Sequence, residues 1–361
     1  MTRIAEISAQ PFDLTLSEPF AIATGTQERA ANVLLRLRCE DGTLGLGEAA
    51  PFPAVNAETQ TQALSALERA KGELVGASIG NWRATAERAG ALLAESPSAL
   101  CAFETALLDA FCRRARLSLF EFFGGRQGAL STDITITTGS VQAARAAALR
   151  AHSQGFSQLK LKVGGAPLEL DLERVRVAAD AAPEAELLLD GNASFEAGQA
   201  LRLLEKLGAL ARRVVLFEQP TAASDFAGLR EVRRLGGVLV AADESARSRA
   251  DVARLAREHA VDVVNIKITK TGIVEALDMI GCARSHGLGL MVGGMVESRL
   301  CMTTSACLAG GIGGFRFVDL DTPLFLRDDP CLGGFTQHGP KLDLRTIAHG
   351  HGVTLPDAKS C

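Results

Sequence analysis

The feature that most constrains this chain is a rhythm that runs from about residue 130 to residue 320. Short β-like runs alternate with amphipathic helical stretches: TDITITT then QAARAAALRAHSQG, SQLKLKV then LDLERVRVAADAA, ELLLDGN then GQALRLLEKLGA, VVLFEQP then FAGLREVRRLG. The pattern continues with VLVAADES then SRADVARLAREHA, VVNIKIT then IVEALDMIGCARSHG, LGLMVGG then SRLCMTTSACLAGG, and lastly RFVDLDT. One residue near each strand end keeps the register: Thr135, Lys160, Asp190, Glu218, Asp243, Lys267, Gly294 and Asp319, at steps of 24 to 30 residues. A βα unit of that length, repeated eight times, predicts an α/β fold of the TIM-barrel type. A doubly wound sheet uses similar units but usually carries a glycine-rich phosphate loop. Neither GxGxxG nor GxxxxGK[ST] occurs.

The flanks read differently. IAEISAQPFDLTL and NVLLRLRCEDGTLGLGEAAP predict a β-meander with a hairpin turn at Asp41-Gly42. The polar stretch between them, SEPFAIATGTQERAA, reads as a mobile loop. From about residue 57 the apolar spacing becomes helical. At 361 residues the chain exceeds one ordinary core. We therefore divide it into an α+β capping lobe (1–125), a catalytic barrel (126–325) and a segment (326–361) that lacks the βα rhythm and returns to the lobe.

Bulk properties exclude several classes. Net charge is −4 with no basic tract, which argues against nucleic acid as a partner. No apolar run approaches the roughly 20 residues of a membrane span. The first residues alternate like a strand and lack the apolar centre of a signal peptide. Eight cysteines without a CxxC pair read as reduced, buried thiols, so a cytoplasmic location is expected.

In a barrel the strand C-termini converge on one face, where catalysis occurs. Three consecutive strands end in Asp190, Glu218 and Asp243, an all-carboxylate set suited to Mg²⁺. The strands on either side end in lysines: Lys160 and Lys162, sharing one face by the period of two, and Lys267. One carboxylate or lysine alone is usually a cap or a solvated charge; five successive strand ends in register are hard to dismiss. Such a ring suits removal of a proton α to a carboxylate. Mg²⁺ and Lys160 would stabilise an enediolate, while Lys162 and Lys267 would address opposite faces of it. Burial and neighbouring cations are expected to depress the pKa of a basic lysine. Two bases imply racemisation or epimerisation.

These residues resemble the enolase superfamily in its muconate-lactonizing subgroup, which shows a KxK motif, three acidic metal ligands and a further lysine. The resemblance covers essentially the whole chain and implies a modified (β/α)₇β barrel with an α+β capping domain. The DLDTP run adds Asp319 and Asp321, a DxD that resembles the dipeptide epimerases, where it holds the substrate's ammonium. The resemblance thus implies a dipeptide substrate inverted at the α-carbon of its C-terminal residue. It also implies substrate contacts at Thr135, Lys160, Gly294 and Met295. Asn192, Gln219, Glu244 and Glu297 are expected to orient the metal ligands.

Relatives acting on L-Ala-D/L-Glu often place an Arg in the early loop, where this chain has Gly25 with Arg29 further on. Phe20 and Ile22 point instead to neutral or hydrophobic dipeptides. The alternatives are an N-acylamino-acid racemase or o-succinylbenzoate synthase, which need no ammonium clamp. More remote is a non-catalytic barrel binding metal or small acids. Barrels of this kind often form homo-oligomers, though no motif here states a symmetry.

Overall fold

A computed structural model describes residues 2–356. Eight parallel strands form the central sheet in strict sequence order: Ile134–Ile136, Gln158–Lys162, Glu186–Asp190, Val214–Glu218, Leu239–Ala242, Val263–Ile266, Gly289–Val292 and Phe315–Val318. The Asp133 N–H donates to Val318 O at 2.9 Å, joining the last strand to the first. The period of two sorts each strand into two faces. Leu188, Leu216, Ala241, Val263, Met291 and Phe317 fill the interior, so the barrel is a packed core and not a pore. Leu187 and Leu189 point outward, to the helices.

The helices follow the same logic at period 3.6. In Ala197–Leu207 the buried residues are Ala200, Leu203, Leu204 and Leu207, a single stripe against the sheet. A capping box of Glu196 and Gln199 starts that helix, and Gly208 at φ 56° ends it.

The lobe is a three-stranded antiparallel sheet (Ile4–Ile22, Gly25–Cys39, Leu44–Ala49) backed by helices Gln60–Leu74, Trp82–Leu92 and Pro97–Ala115. The third strand lies so close to the last helix that a Cβ on Gly47 would sit 1.9 Å from Ala102 O. Only glycine permits that approach. Asp41-Gly42 forms the predicted turn, with Gly42 at φ 84°.

The sequence reading of SEPFAIATGTQERAA as a loop is corrected. The first two strands run through it and pair as far as Ile22 with Gly25, after a register shift between Thr15 and Phe20. Polar composition misled because this hairpin buries only alternate positions, with Phe20, Ile22 and Ala30 among them.

The segment after residue 326 touches both units. His351 N–H donates to Asp109 Oδ1 in the lobe at 3.1 Å, while Lys341–Asp343 pairs with Ala129–Ser131 beside the barrel. Cys361 lies outside the described residues. The other seven cysteines are free thiols, and only Cys282 among them is not buried.

Candidate active site

Strand register sets the height of the charged ring. Lys162 pairs with Asp190, and Asp190 with Glu218, so the three stand at one level. Asp243 and Lys267 each follow directly on their strands. All five predicted ring positions, together with Lys160, are buried. The sequence placed them in order around a circle; the fold brings them into contact.

Lys160 Nζ lies 3.0 Å from Asp190 Oδ2, 2.7 Å from Glu218 Oε2 and 2.6 Å from Asp319 Oδ2. Lys162 Nζ donates to Asp190 Oδ2 at 2.6 Å, and Lys267 Nζ to Asp243 Oδ2 at 2.7 Å. Burial alone would raise the Asp190 and Asp243 carboxyls, but their lysines overcome it and hold both well below the usual carboxylate range.

The protein's own charges, taken alone, do not depress Lys267. Burial does push it down, yet Asp243 and Glu218 outweigh burial and raise it above the ordinary lysine value. Carboxylates outnumber the amines around it, so the protein's own charges favour the ammonium. Lys160 is raised in the same way by Asp319, Glu218 and Asp190 against its burial.

One cavity joins these groups to the lobe. Thr135, Lys162, Asn192, Asp243, Lys267, Gly294, Met295, Asp319 and Asp321 line its barrel side, and Phe20, Ile22, Phe52 and Val55 line its lobe side. Phe20 stacks edge-on against Phe325 at 5.4 Å, which fixes that apolar wall. Asp319 follows the eighth strand, while Asp321 has already left it with helical dihedrals (φ −93°, ψ −11°). Strict strand alternation therefore ends at Asp319, yet both carboxylates reach the same cavity. Gly294 is there for space: a Cβ would come within 2.3 Å of Met302 Cε.

The four predicted orienting residues divide into two groups. Asn192 N–H donates to Asp190 Oδ1 at 3.0 Å, and its amide reaches Glu244 Oε1 at 3.4 Å. Gln219 Oε1 accepts from the N–H groups of Asp243 and Ser245 at 2.9 and 3.1 Å. Both hold left-handed dihedrals, φ 42° and 34°, a strain of about 1–3 kcal/mol each that these bonds offset. Burial and then Asp243 push the Glu244 carboxyl up to about 8. Glu297 does a different job, accepting from Met295 N–H at 2.6 Å and Thr269 Oγ1 at 3.2 Å and so holding the cavity wall.

Three further residues escaped the sequence reading. Lys270 is buried and donates to Asp243 Oδ1, Asp243 O and Asn265 O at 2.6, 2.7 and 3.1 Å. Asn265 Nδ2 donates to Glu218 Oε1 at 2.7 Å. Asp133 lies fully buried behind Asp319 and Asp321. Asn265 carried a usable signal, since it stands two positions before Lys267 on the same strand face.

The donor chemistry fits Mg²⁺. Asp190, Glu218 and Asp243 offer buried carboxylate oxygens, and the cavity wall contains neither Cys nor His. Glu218 Oε2 is ion-paired with Lys160 at 2.7 Å without a directed hydrogen bond. Lys160 bridges Asp190 and Glu218, while Lys267 and Lys270 both pair with Asp243. Among the described residues, the one group of three or more His, Cys, Asp or Glu side chains whose ligand atoms all lie within 4.8 Å of one another is Asp133, Asp319 and Asp321.

Comparison with known proteins fits this arrangement. Residues 6–124 match the mandelate racemase / muconate lactonizing enzyme N-terminal domain, and residues 142–359 match the enolase C-terminal domain-like family. The chain belongs to the enolase superfamily. It is 48% identical to an aromatic dipeptide epimerase of Herpetosiphon aurantiacus, covering 98% of this chain and 99% of that protein. It is 36% identical to a hydrophobic dipeptide epimerase of Citrifermentans bemidjiense, covering 97% of each. Its fold superposes with a TM-score of 0.93 on a dipeptide epimerase of Enterococcus faecalis complexed with Mg and L-Leu-L-Tyr, at 29% identity over 98% of this chain and 99% of that one.

Proposed function

We propose that this superfamily member is a Mg²⁺-dependent epimerase of dipeptides with apolar side chains, inverting the α-carbon of the C-terminal residue. The observation that carries the reading is the wall of one cavity. Lys162 and Lys267 come from the second and sixth of eight strands, Asp319 and Asp321 stand at one side, and Phe20, Ile22, Phe52 and Val55 close it from the lobe. Asp190, Glu218 and Asp243 would hold Mg²⁺, which supplies charge for the substrate carboxylate and the enediolate it becomes.

The chain's own groups account for the rest. Asp319 and Asp321 receive the α-ammonium of the N-terminal residue. Lys160 adds fixed positive charge beside the metal ligands. For one epimer Lys162, as amine, removes the α-proton and Lys267, as ammonium, returns a proton to the opposite face; for the other epimer the roles exchange. An acidic second residue is disfavoured because no arginine lines the cavity. Arg29 is instead exposed and paired with Asp13 at 3.5 Å. The similarity to an aromatic and a hydrophobic dipeptide epimerase supports the same substrate class. The buried thiols support a reducing, cytoplasmic setting.

The test is a library of L,L-dipeptides incubated with enzyme and Mg²⁺ in D₂O and read by mass. Deuterium in the C-terminal residue of apolar dipeptides is the expected result. No label in any dipeptide, with label in N-acyl amino acids, would overturn the reading in favour of an N-acylamino-acid racemase.

A further inference from the structure

Asp133 is a carboxylate for which the scheme above has no use. It immediately precedes the first barrel strand, and Ile134 and Ile136 pack outward against the helix layer, so the period of two turns Asp133 and Thr135 inward. It is fully buried, and among the buried carboxylates of the described residues it alone has both oxygens without a hydrogen-bond partner. An ionised carboxylate so placed destabilises the fold unless a cation meets it.

No protein cation is free to do so. Lys160, the amine whose charge bears on it, is already paired with Asp190, Glu218 and Asp319. Burial, then Asp319 and Asp321, hold the Asp133 carboxyl well above its ordinary value.

We propose that Asp133 is the third carboxylate of the ammonium subsite, standing behind Asp319 and Asp321 and completed by the substrate's own cation. The inference rests on the reading of the substrate as a free dipeptide. Oxygens of the three residues lie within 4.8 Å of one another. Asp319 and Asp321 line the cavity and Asp133 does not, so the pair meets the ammonium while the third carboxylate adds its charge from behind them. The committed oxygens also leave the right ones over. Asp319 Oδ2 accepts from Lys160 at 2.6 Å and Asp321 Oδ2 from Thr135 N–H at 2.6 Å, whereas Asp321 Oδ1 accepts nothing. The subsite is thus a set of buried carboxylates short of one cation, and the substrate brings one.

The test compares wild type, Asp133→Asn and Asp133→Ala on L-Ala-L-Phe and its N-acetyl derivative, with Mg²⁺ binding by calorimetry and thermal melting alongside. Each variant should raise KM for the free dipeptide about tenfold or more while kcat stays within about threefold, the loss of one negative charge beside the ammonium subsite. Mg²⁺ affinity and stoichiometry should be unchanged, and Asp133→Asn should melt no lower than wild type, because a carboxyl held so far up carries little charge until the ammonium arrives. A purely structural Asp133 would lower the melting temperature and leave KM alone. Loss of one bound Mg²⁺ would make the three carboxylates a metal site. Either result overturns the proposal. Wild-type enzyme that epimerises the N-acetyl form as readily as the free dipeptide would instead overturn the ammonium clamp itself, whatever Asp133 does.

Discussion

Lys270→Met gives a test of how the charged ring is held together. The Lys270 ammonium is buried and spends its three protons on Asp243 Oδ1, Asp243 O and Asn265 O. A neutral amine could satisfy only two of these acceptors, so the site requires the cation even though burial lowers its pKa. Methionine keeps the length and removes the charge. Breaking a buried ion pair by deleting one partner costs about 3–5 kcal/mol. Asp243 retains Lys267 on its other oxygen at 2.7 Å, which places the expected loss near the lower end, about 3 kcal/mol. The assay is urea unfolding followed by circular dichroism, with and without saturating MgCl₂. The metal-free midpoint should fall, and Mg²⁺ should restore part of the loss because a second cation then meets Asp243. Lys270→Arg should fall less. A Lys270→Met midpoint within about 0.5 kcal/mol of wild type in metal-free buffer would refute the account of the ring as a set of mutually dependent buried charges.

Lys162→Ala and Lys267→Ala should each abolish epimerisation, and each should slow deuterium exchange by about 10²–10⁴-fold from a different epimer; exchange from both epimers surviving in one variant would remove that lysine as a base. Glu48, which accepts from Asn32 Nδ2 and Ser298 N–H and so ties the lobe to the barrel, is pushed by burial from 4.5 to about 7. Its folded value lies above its unfolded one, so its contribution is full below about pH 4.5 and lost as pH rises through about 7, by roughly 3 kcal/mol. Stability of wild type minus Glu48→Gln, measured across that window, should decline with pH; a flat difference rejects the assignment. Asn265→Leu should weaken Mg²⁺ binding about tenfold by freeing Glu218 Oε1, as loss of an orienting partner commonly does, and calorimetry would show no change if Asn265 only packs.

The ring and its order were legible from the sequence because a strand's period of two and a βα unit's length are local properties. Asp190, Glu218 and Lys162 could be set at one level before any contact was known, and the register confirms that level. The apolar and polar faces of the helices were legible for the same reason. The early hairpin was not, because its pairing through Phe20 and Gln27 depends on what it covers, and composition alone described a loop.

What the sequence by itself determined is therefore the barrel, the strand-end carboxylates and lysines, and the DxD that follows the last strand. Only the tertiary structure decided who meets whom. Lys160 reaches across to Asp319, 159 positions away, because closure of the barrel sets the first and last strands side by side. Lys270 and Asp133 come beside the ring in the same way: one turns back from a helix onto Asp243, the other lies near Asp319 and Asp321 at the seam. The direction of the Lys267 shift was likewise settled by a sum over buried charges from several strands, with burial pulling one way and carboxylates the other. Spacing along a chain fixes which side of a strand a group takes; the distances that set its charge and its partners arise only when the sheet closes.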